Sequence, residues 1–395
     1  MPKTHRLRRI ANPSTLRSIE PRLRSSFLKP YEAWLAARGV KLAPAAKLDC
    51  DRLSILLLGL DGDPPAELLD VVCLVDDISA DRHEEKLRAL AKKLKIKYQA
   101  DAPNIDIAVR IAINDAAALY ELHTTTLGDR FKTVDRIAAL CTGIPTPHAI
   151  TPAMKSRIED LLNGVFEAKG RDRSAVVVPI ELPIGPGVLI SRGDTMKRQS
   201  IVEAQRRSTM LLRPESFDFS CLDQEIADHL LRCQSKGDLE AYCQVIGLCL
   251  FDDKFMFMPQ STHRYTLSPV REHGPACLSY AAYEGIEWVE LDWLEARDQS
   301  LDGTPVRVGQ PRPWEALAQY GSALSSSLDP FRMVLKVKII GEKRERRVRL
   351  VPPYRIECEL DDVGILISHF LKGAGFLLPR PETPDESKLT LWDFR

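Results

Sequence analysis

The sequence predicts an α+β protein, a helical N-terminal module followed by a mixed β-rich module that closes in a C-terminal β-β-α unit. Three observations lead there. Apolar residues between 49 and 140 recur at three- and four-residue steps behind capping residues and short connections. From Ser174 onwards the pattern turns to β-branched runs bounded by Gly and Pro. Near the end, two alternating segments flank a charged turn and precede a capped helix.

In chain order, residues 1–47 hold eleven Lys and Arg against Glu20 and Glu32, the largest local charge excess in the chain. That excess predicts a basic arm, with Arg6, Arg8, Arg9, Arg22 and Arg24 as phosphate-contact candidates, because clustered cations displace counterions from a nucleic-acid backbone. Asp49 is placed to cap a helix over 52–60, and Pro64-Pro65 to open one over 65–78. Further helices are expected from Asp81 to Leu94, over 105–113 and over 116–140, the last as one long helix or two broken near Gly128, giving an antiparallel helical domain over 48–145. His83 and His123 lie in it, and neither is followed by a second His or Cys at ligand spacing. The Pro- and Thr-rich stretch 142–152 is the expected domain linker.

The second domain is expected over 146–376, with a possible division at 303–313. It begins with a helix over 152–168 and strand-like runs from Ser174, where Gly185, Gly187 and Gly193 read as turn glycines because no phosphate-loop spacing accompanies them. Lys197, Arg198, Arg206, Arg207 and Arg213 form a second basic cluster. A strand over 217–222, a helix over 239–251 capped by Asp238, short strands at 255–258 and 265–267, and a strand over 286–291 follow. A loop over 302–313 and a helix over 314–328 lead to strands 331–340 and 346–350. Lys336, Lys338, Arg347 and Arg349 face outward on them and make the hairpin surface basic. Asp361 or Asp362 caps a helix over 363–371, and residues 377–395 form a Pro- and charge-rich tail.

Charge and composition bound the function. The 55 Lys and Arg equal the 55 Asp and Glu, which excludes a globally basic nucleic-acid binder but leaves locally basic faces. Nine cysteines form no CxxC pair, so they read as reduced residues of a cytoplasmic protein, with no metal centre and no cofactor expected. No apolar run approaches membrane-spanning length. One triplet has enzymatic character. Asp252-Asp253-Lys254, with Asp238 upstream, matches the carboxylates and lysine of a restriction-endonuclease-type nuclease, in which the acids hold a divalent metal.

The helical half followed by a β-rich half with a β-β-α ending, including the WVEL run at 288–291, resembles proteins of bacterial regulatory and phage-defence loci that carry WYL-type sensor domains. The resemblance spans Ser174 to Phe376 and implies a small β-barrel that binds ligand or nucleic acid and regulates partners. The expectation is a non-enzymatic accessory or adaptor protein. It would bind a partner protein, and nucleic acid through its basic arm and hairpin. A metal-dependent nuclease at Asp238, Asp252 and Lys254, or a ligand-sensing regulator, stands as the alternative.

Overall fold

The computed structural model describes residues 7, 9–61, 63–128, 131, 133–139, 145–203, 206–224, 228–233, 235–257, 263–299, 302–309, 312–318 and 328–379. These form an α+β protein in two units, one ending at Leu127 and one beginning at Gly128. The boundary therefore lies at the end of a helix, upstream of the expected linker; residues 145–150 of that stretch carry no regular secondary structure and belong to the second unit.

The first unit is all helix. Its helices are α1 (Pro13–Ser18), α2 (Pro21–Leu28), α3 (Glu32–Ala36), α4 (Cys50–Leu57), α5 (Ala66–Ile78), α6 (Glu84–Lys93), α7 (Asn104–Asn114) and α8 (Ala116–Gly128). The centre is α7, whose Ile105, Ile107, Ala108, Val109 and Ile111 are buried and which packs against α2, α5 and α6. A helix apolar around most of its girth is one surrounded by neighbours.

The expected arm over 1–47 is corrected by this packing. Leu16, Ile19, Leu23, Phe27, Leu28 and Leu35 are buried in the same core as α7. Asp76 of α5 accepts hydrogen bonds from the backbone N–H of Arg9 (2.7 Å) and Ile10 (2.7 Å), tying the start of the described chain to the bundle. The arginines between these apolar residues dominate the composition, while the apolar residues decide the structure.

The second unit is built on a ten-stranded antiparallel sheet. Its strands are β1 (Thr133–Ala138), β2 (Val176–Leu182), β3 (Gly185–Gly193), β6 (Glu215–Asp223), β7 (Asp228–Arg232), β8 (Ile286–Asp298), β9 (Thr304–Gly309), β10 (Leu328–Ile339), β11 (Arg346–Val351) and β12 (Arg355–Glu357). The order is β2-β3-β6-β7-β1-β12-β11-β10-β8-β9, so β1 stitches two halves of the sheet together through β7 and β12. Two helices, α9 (Pro152–Ala168) and α10 (Lys236–Phe251), pack on each other, with α9 against β2 and α10 against β7. Phe166 meets Tyr242 edge-on between them, with ring centroids 6.3 Å apart. Short helices α11 (Ser268–His273) and α12 (Pro313–Ala318) connect strands, and α13 (Asp362–Gly373) is capped by Asp361 as expected. The turn falls at 183–184; Gly185 opens β3 just after it with φ +139°, and a Cβ there would stand 2.2 Å from the Leu222 carbonyl oxygen, whereas Gly187 and Gly193 are paired residues of β3 itself, so the turn reading is corrected for them.

A separate two-stranded ribbon, β4 (Lys197–Glu203) with β5 (Arg206–Leu212), lies outside the large sheet. Several expectations change here. Over 116–140, expected as one long helix or two broken near Gly128, the helix ends at Gly128, and 133–138 is the central strand β1 in place of a helix. The loop expected at 302–313 contains β9, so no division falls there. The helix expected over 314–328 is Pro313–Ala318, Leu328 already belongs to β10, and 319–327 lie outside the described residues. Residues 380–395 of the expected tail also lie outside them.

Candidate functional site: an apolar groove in the helical unit

α5 reads AELLDVVCLVDDI, with more apolar residues than one buried stripe requires. Leu68, Val72, Val75 and Ile78 recur on one face and are completely buried. The surplus, Leu69, Val71, Cys73 and Leu74, extends beyond that stripe beside α8 and the end of α4, with Val71 and Leu74 still packing against the core and Leu69 and Cys73 turned away from it. There it lines an open groove of about 1210 Å³ with Leu57, Leu58 and Tyr120. Leu58 is 47% exposed, Leu69 37% and Tyr120 52%, a grouping of large apolar side chains in water on one surface.

Asp115 accepts a hydrogen bond from the Ala118 N–H (2.9 Å) and starts α8. Ala116, Tyr120 and His123 then follow at helical spacing along the groove wall. His123 Nε2 stands 3.1 Å from Asp77 Oδ2, joining α8 to α5. His123 is thereby a helix-linking residue, while His83 is buried and accepts from Arg82 Nε at Nε2 (2.9 Å). Burial pushes the Cys73 thiol up to about 11, with Asp77, Asp70 and Asp76 adding to the effect, so it stays protonated at neutral pH. Burial likewise raises the Tyr31 hydroxyl, and Glu67 and Asp70 raise it further. Among the described residues the carboxylates that line the groove are Glu67, Asp70 and Asp77.

The residues expected to contact phosphate are placed differently. Arg6 and Arg8 lie outside the described residues. Arg9 donates from Nη1 to the Asp76 carbonyl oxygen (2.9 Å). Arg24 is buried, and its guanidinium donates to the carbonyl oxygens of Leu16 and Ala45, which makes it a core tie. Arg22 is exposed on α2.

In the sheet unit, Leu335, Val337, Val348 and Leu350 are buried opposite Lys336, Lys338, Arg347 and Arg349, as alternation requires. Acids from the neighbouring strands interleave with these cations. A bulge in the β8–β10 register falls at Asp292, which is 6% exposed and holds Arg347 Nη2 at 3.2 Å and Lys336 Nζ at 3.7 Å. Arg349 pairs with Glu357 at 2.8 Å, and Lys338 Nζ donates to the Glu342 carbonyl oxygen at 2.7 Å. The hairpin face is a lattice of paired charges instead of a free basic patch. Beside it Arg307 stacks at 4.3 Å on Trp293, where Gly309 leaves room for the ring.

The nuclease triplet is corrected by geometry. Ser235, not Asp238, caps α10, its side chain accepting from the Asp238 N–H at 3.1 Å. Asp238 is fully buried in the first turn and accepts from Lys169 (3.0 Å) and from both terminal nitrogens of Arg171. Burial opposes its charge, but Lys169 and Arg171 prevail and its carboxyl stays below the usual range. Asp252 ends the same helix in the left-handed region (φ +56°), exposed and 2.7 Å from His148 Nε2. A helix of this length separates the two carboxylates by about 20 Å, too far to share a metal. Lys254 sits over the Phe255 ring at 4.8 Å. Among the described residues no group of three or more His, Cys, Asp and Glu is arranged to hold a metal.

Two ionic clusters lie inside the sheet unit. Arg136 of β1 donates to Asp223 (2.9 Å), Asp228 (3.3 Å) and the Tyr265 hydroxyl (2.9 Å), and Arg264 donates to Asp228 from Nη2 (2.9 Å) and Nε (3.1 Å). Burial alone would favour a neutral Arg136; Tyr265, Asp228 and Asp223 outweigh it and raise its pKa. In the second cluster, Arg192 Nε and the Tyr242 hydroxyl both donate to Asp218 Oδ2 at 2.6 Å. A Ser220 Oγ to His229 Nε2 contact of 2.7 Å has the look of a nucleophile and base. Ser220 is 2% exposed and His229 fully buried, and burial lowers His229 to about 3, so the pair is a neutral internal hydrogen bond.

No protein-family model matches the chain, and no curated protein is similar to it. The likeness to WYL-type proteins rests on the residues that carry it in the sequence. No helix among the described residues is long and apolar enough to cross a membrane.

Proposed function

We propose that this chain is an accessory or adaptor protein whose helical unit docks a partner protein. The observation that carries the reading is the open groove between α5 and α8, where Leu58, Leu69 and Tyr120 stand in water beside the half-buried Val71 and Leu74. Folding alone gives no reason to leave such side chains clustered and exposed, whereas a partner that covers them gains roughly 25 cal/mol for each Å² of apolar surface removed from water. The test is quantitative co-purification from the source cells with the wild-type chain and the Leu58→Glu/Tyr120→Glu double variant as baits. A discrete protein retained by the first and lost by the second is the expected result; identical sets from both baits would sink the reading.

A second reading, binding of nucleic acid, is favoured by the ribbon β4–β5. Lys197, Arg198, Arg206 and Arg207 stand against Glu203 on a two-stranded element, a shape that enters a major groove. A mobility shift at low salt that weakens steeply with salt and disappears on shortening the ribbon supports it. Retention independent of the ribbon counts against it.

A further inference from the structure

The groove has walls, a length and a sign of charge, and together these describe its occupant. We infer that it receives a basic amphipathic helix of two to three turns from a partner protein; this rests on the docking reading above and adds the chemistry of the partner. Both walls are helices, with Leu69, Cys73 and Asp77 at i, i+4 and i+8 on α5 and Ala116, Tyr120 and His123 on α8. Residues spaced this way line a trough along the helix axis for about 12 Å. A third helix laid along it offers ridges that fit such rows, in the helix-in-groove mode of recognition. Ala116 and Ala117 remove bulk from one wall, so an approaching backbone meets methyl groups there instead of long side chains.

The charge is one-sided. Among the described residues, Glu67, Asp70 and Asp77 line the groove and no Lys or Arg does. Asp77 is engaged by His123, whereas Glu67 and Asp70 are exposed on the rim. Complementarity therefore calls for Lys or Arg flanking the apolar stripe of the incoming helix, and disfavours an acidic one. The other basic candidate is the chain's own start, since Leu7 lines the groove and Lys3 and Arg6 precede it. Residues 1–6 carry Met1 and Pro2 as their apolar content, too little to cover Leu58, Leu69 and Tyr120.

The experiment compares two fluorescent 14-residue helical peptides with the same leucine stripe at i, i+3, i+4 and i+7, one flanked by lysines and one by glutamates. Each is titrated against the full chain by polarisation. The lysine peptide is expected to bind at least tenfold more tightly, with the margin shrinking as salt is raised. Glu67→Lys with Asp70→Lys, both at exposed positions, is expected to reverse the preference. Leu58→Glu with Tyr120→Glu should abolish binding of both peptides while the circular dichroism spectrum and melting temperature stay unchanged. Equal binding of the two peptides, or indifference to the charge reversal, overturns the basic-helix inference and leaves groove docking intact if the Leu58/Tyr120 variant still loses both. Binding of neither peptide also overturns the basic-helix inference, while the co-purification comparison still judges docking on its own. Binding of both that survives the Leu58/Tyr120 variant overturns groove docking as well. Lysine-peptide binding that appears only when residues 1–6 are deleted identifies the occupant as the chain's own start, and the partner-helix inference falls.

Discussion

The helical unit and the sheet unit handle charge in opposite ways. The helical unit has an apolar core, into which few charged groups such as Arg24, Asp76 and Asp106 intrude, and it leaves an apolar groove in water. The sheet unit buries whole ionic clusters around Asp228 and Asp218 and pairs the cations of its hairpin. Charge in the sheet unit is spent on holding strands together, so its abundance of Arg and Asp says little about ligands. Exposed apolar surface in the helical unit has no such internal use, and that difference points to the groove.

The largest effect that sharpens the comparison is expected at Asp228. Asp228→Ala leaves Arg264 and Arg136 without their shared carboxylate and should cost about 3–5 kcal/mol in urea unfolding of the sheet unit. A loss below 1 kcal/mol would mean that the cluster does not hold β1 to β7.

His229 gives the next effect, through pH. Its folded pKa is lowered to about 3 from the ordinary 6.5, so between these values the unfolded chain binds a proton that the folded chain does not. Stability should then fall as pH drops below 6.5, by about 1.4 kcal/mol per pH unit from this residue. Unfolding midpoints at pH 7 and pH 5 check this, and His229→Gln should flatten the difference between them.

A smaller effect is expected on the hairpin. Lys336→Gln with Arg347→Gln removes both cations from the nearly buried Asp292 and should destabilise by about 2 kcal/mol. If stability is unchanged while nucleic-acid retention is lost, these residues are binding groups and not structural ones. The smallest stability effect belongs to Leu58→Glu, expected within about 0.5 kcal/mol because Leu58 is half exposed.

Much of this organisation was legible in the sequence, and the misses have physical causes. The α+β class, the helices over α5 to α7, the hairpin β10–β11 and the capped α13 followed from periodicity and capping. β1 was missed because Asp135 and Arg136 interrupt its apolar pattern; both are buried against partners distant in sequence, Arg355 at 2.6 Å and Asp223 at 2.9 Å. α1 and α2 were hidden by their arginines, although Leu16, Ile19, Leu23 and Phe27 already have helical spacing. Hairpin face alternation was correct, but Asp292 reaches Lys336 and Arg347 through a bulge that no pattern announces. For the groove, a signal was present: α5 is apolar beyond the width of one core-facing stripe.

The most direct measurement of the central claim is photo-crosslinking in the source cells, with a photoreactive side chain placed at Tyr120 in the groove or at Lys336 on the hairpin. The account expects a discrete protein adduct from Tyr120, mapped to a lysine- or arginine-flanked helical segment of the partner, and none from Lys336. An adduct from Lys336 with nothing captured at Tyr120 would contradict it and move the docking surface to the sheet.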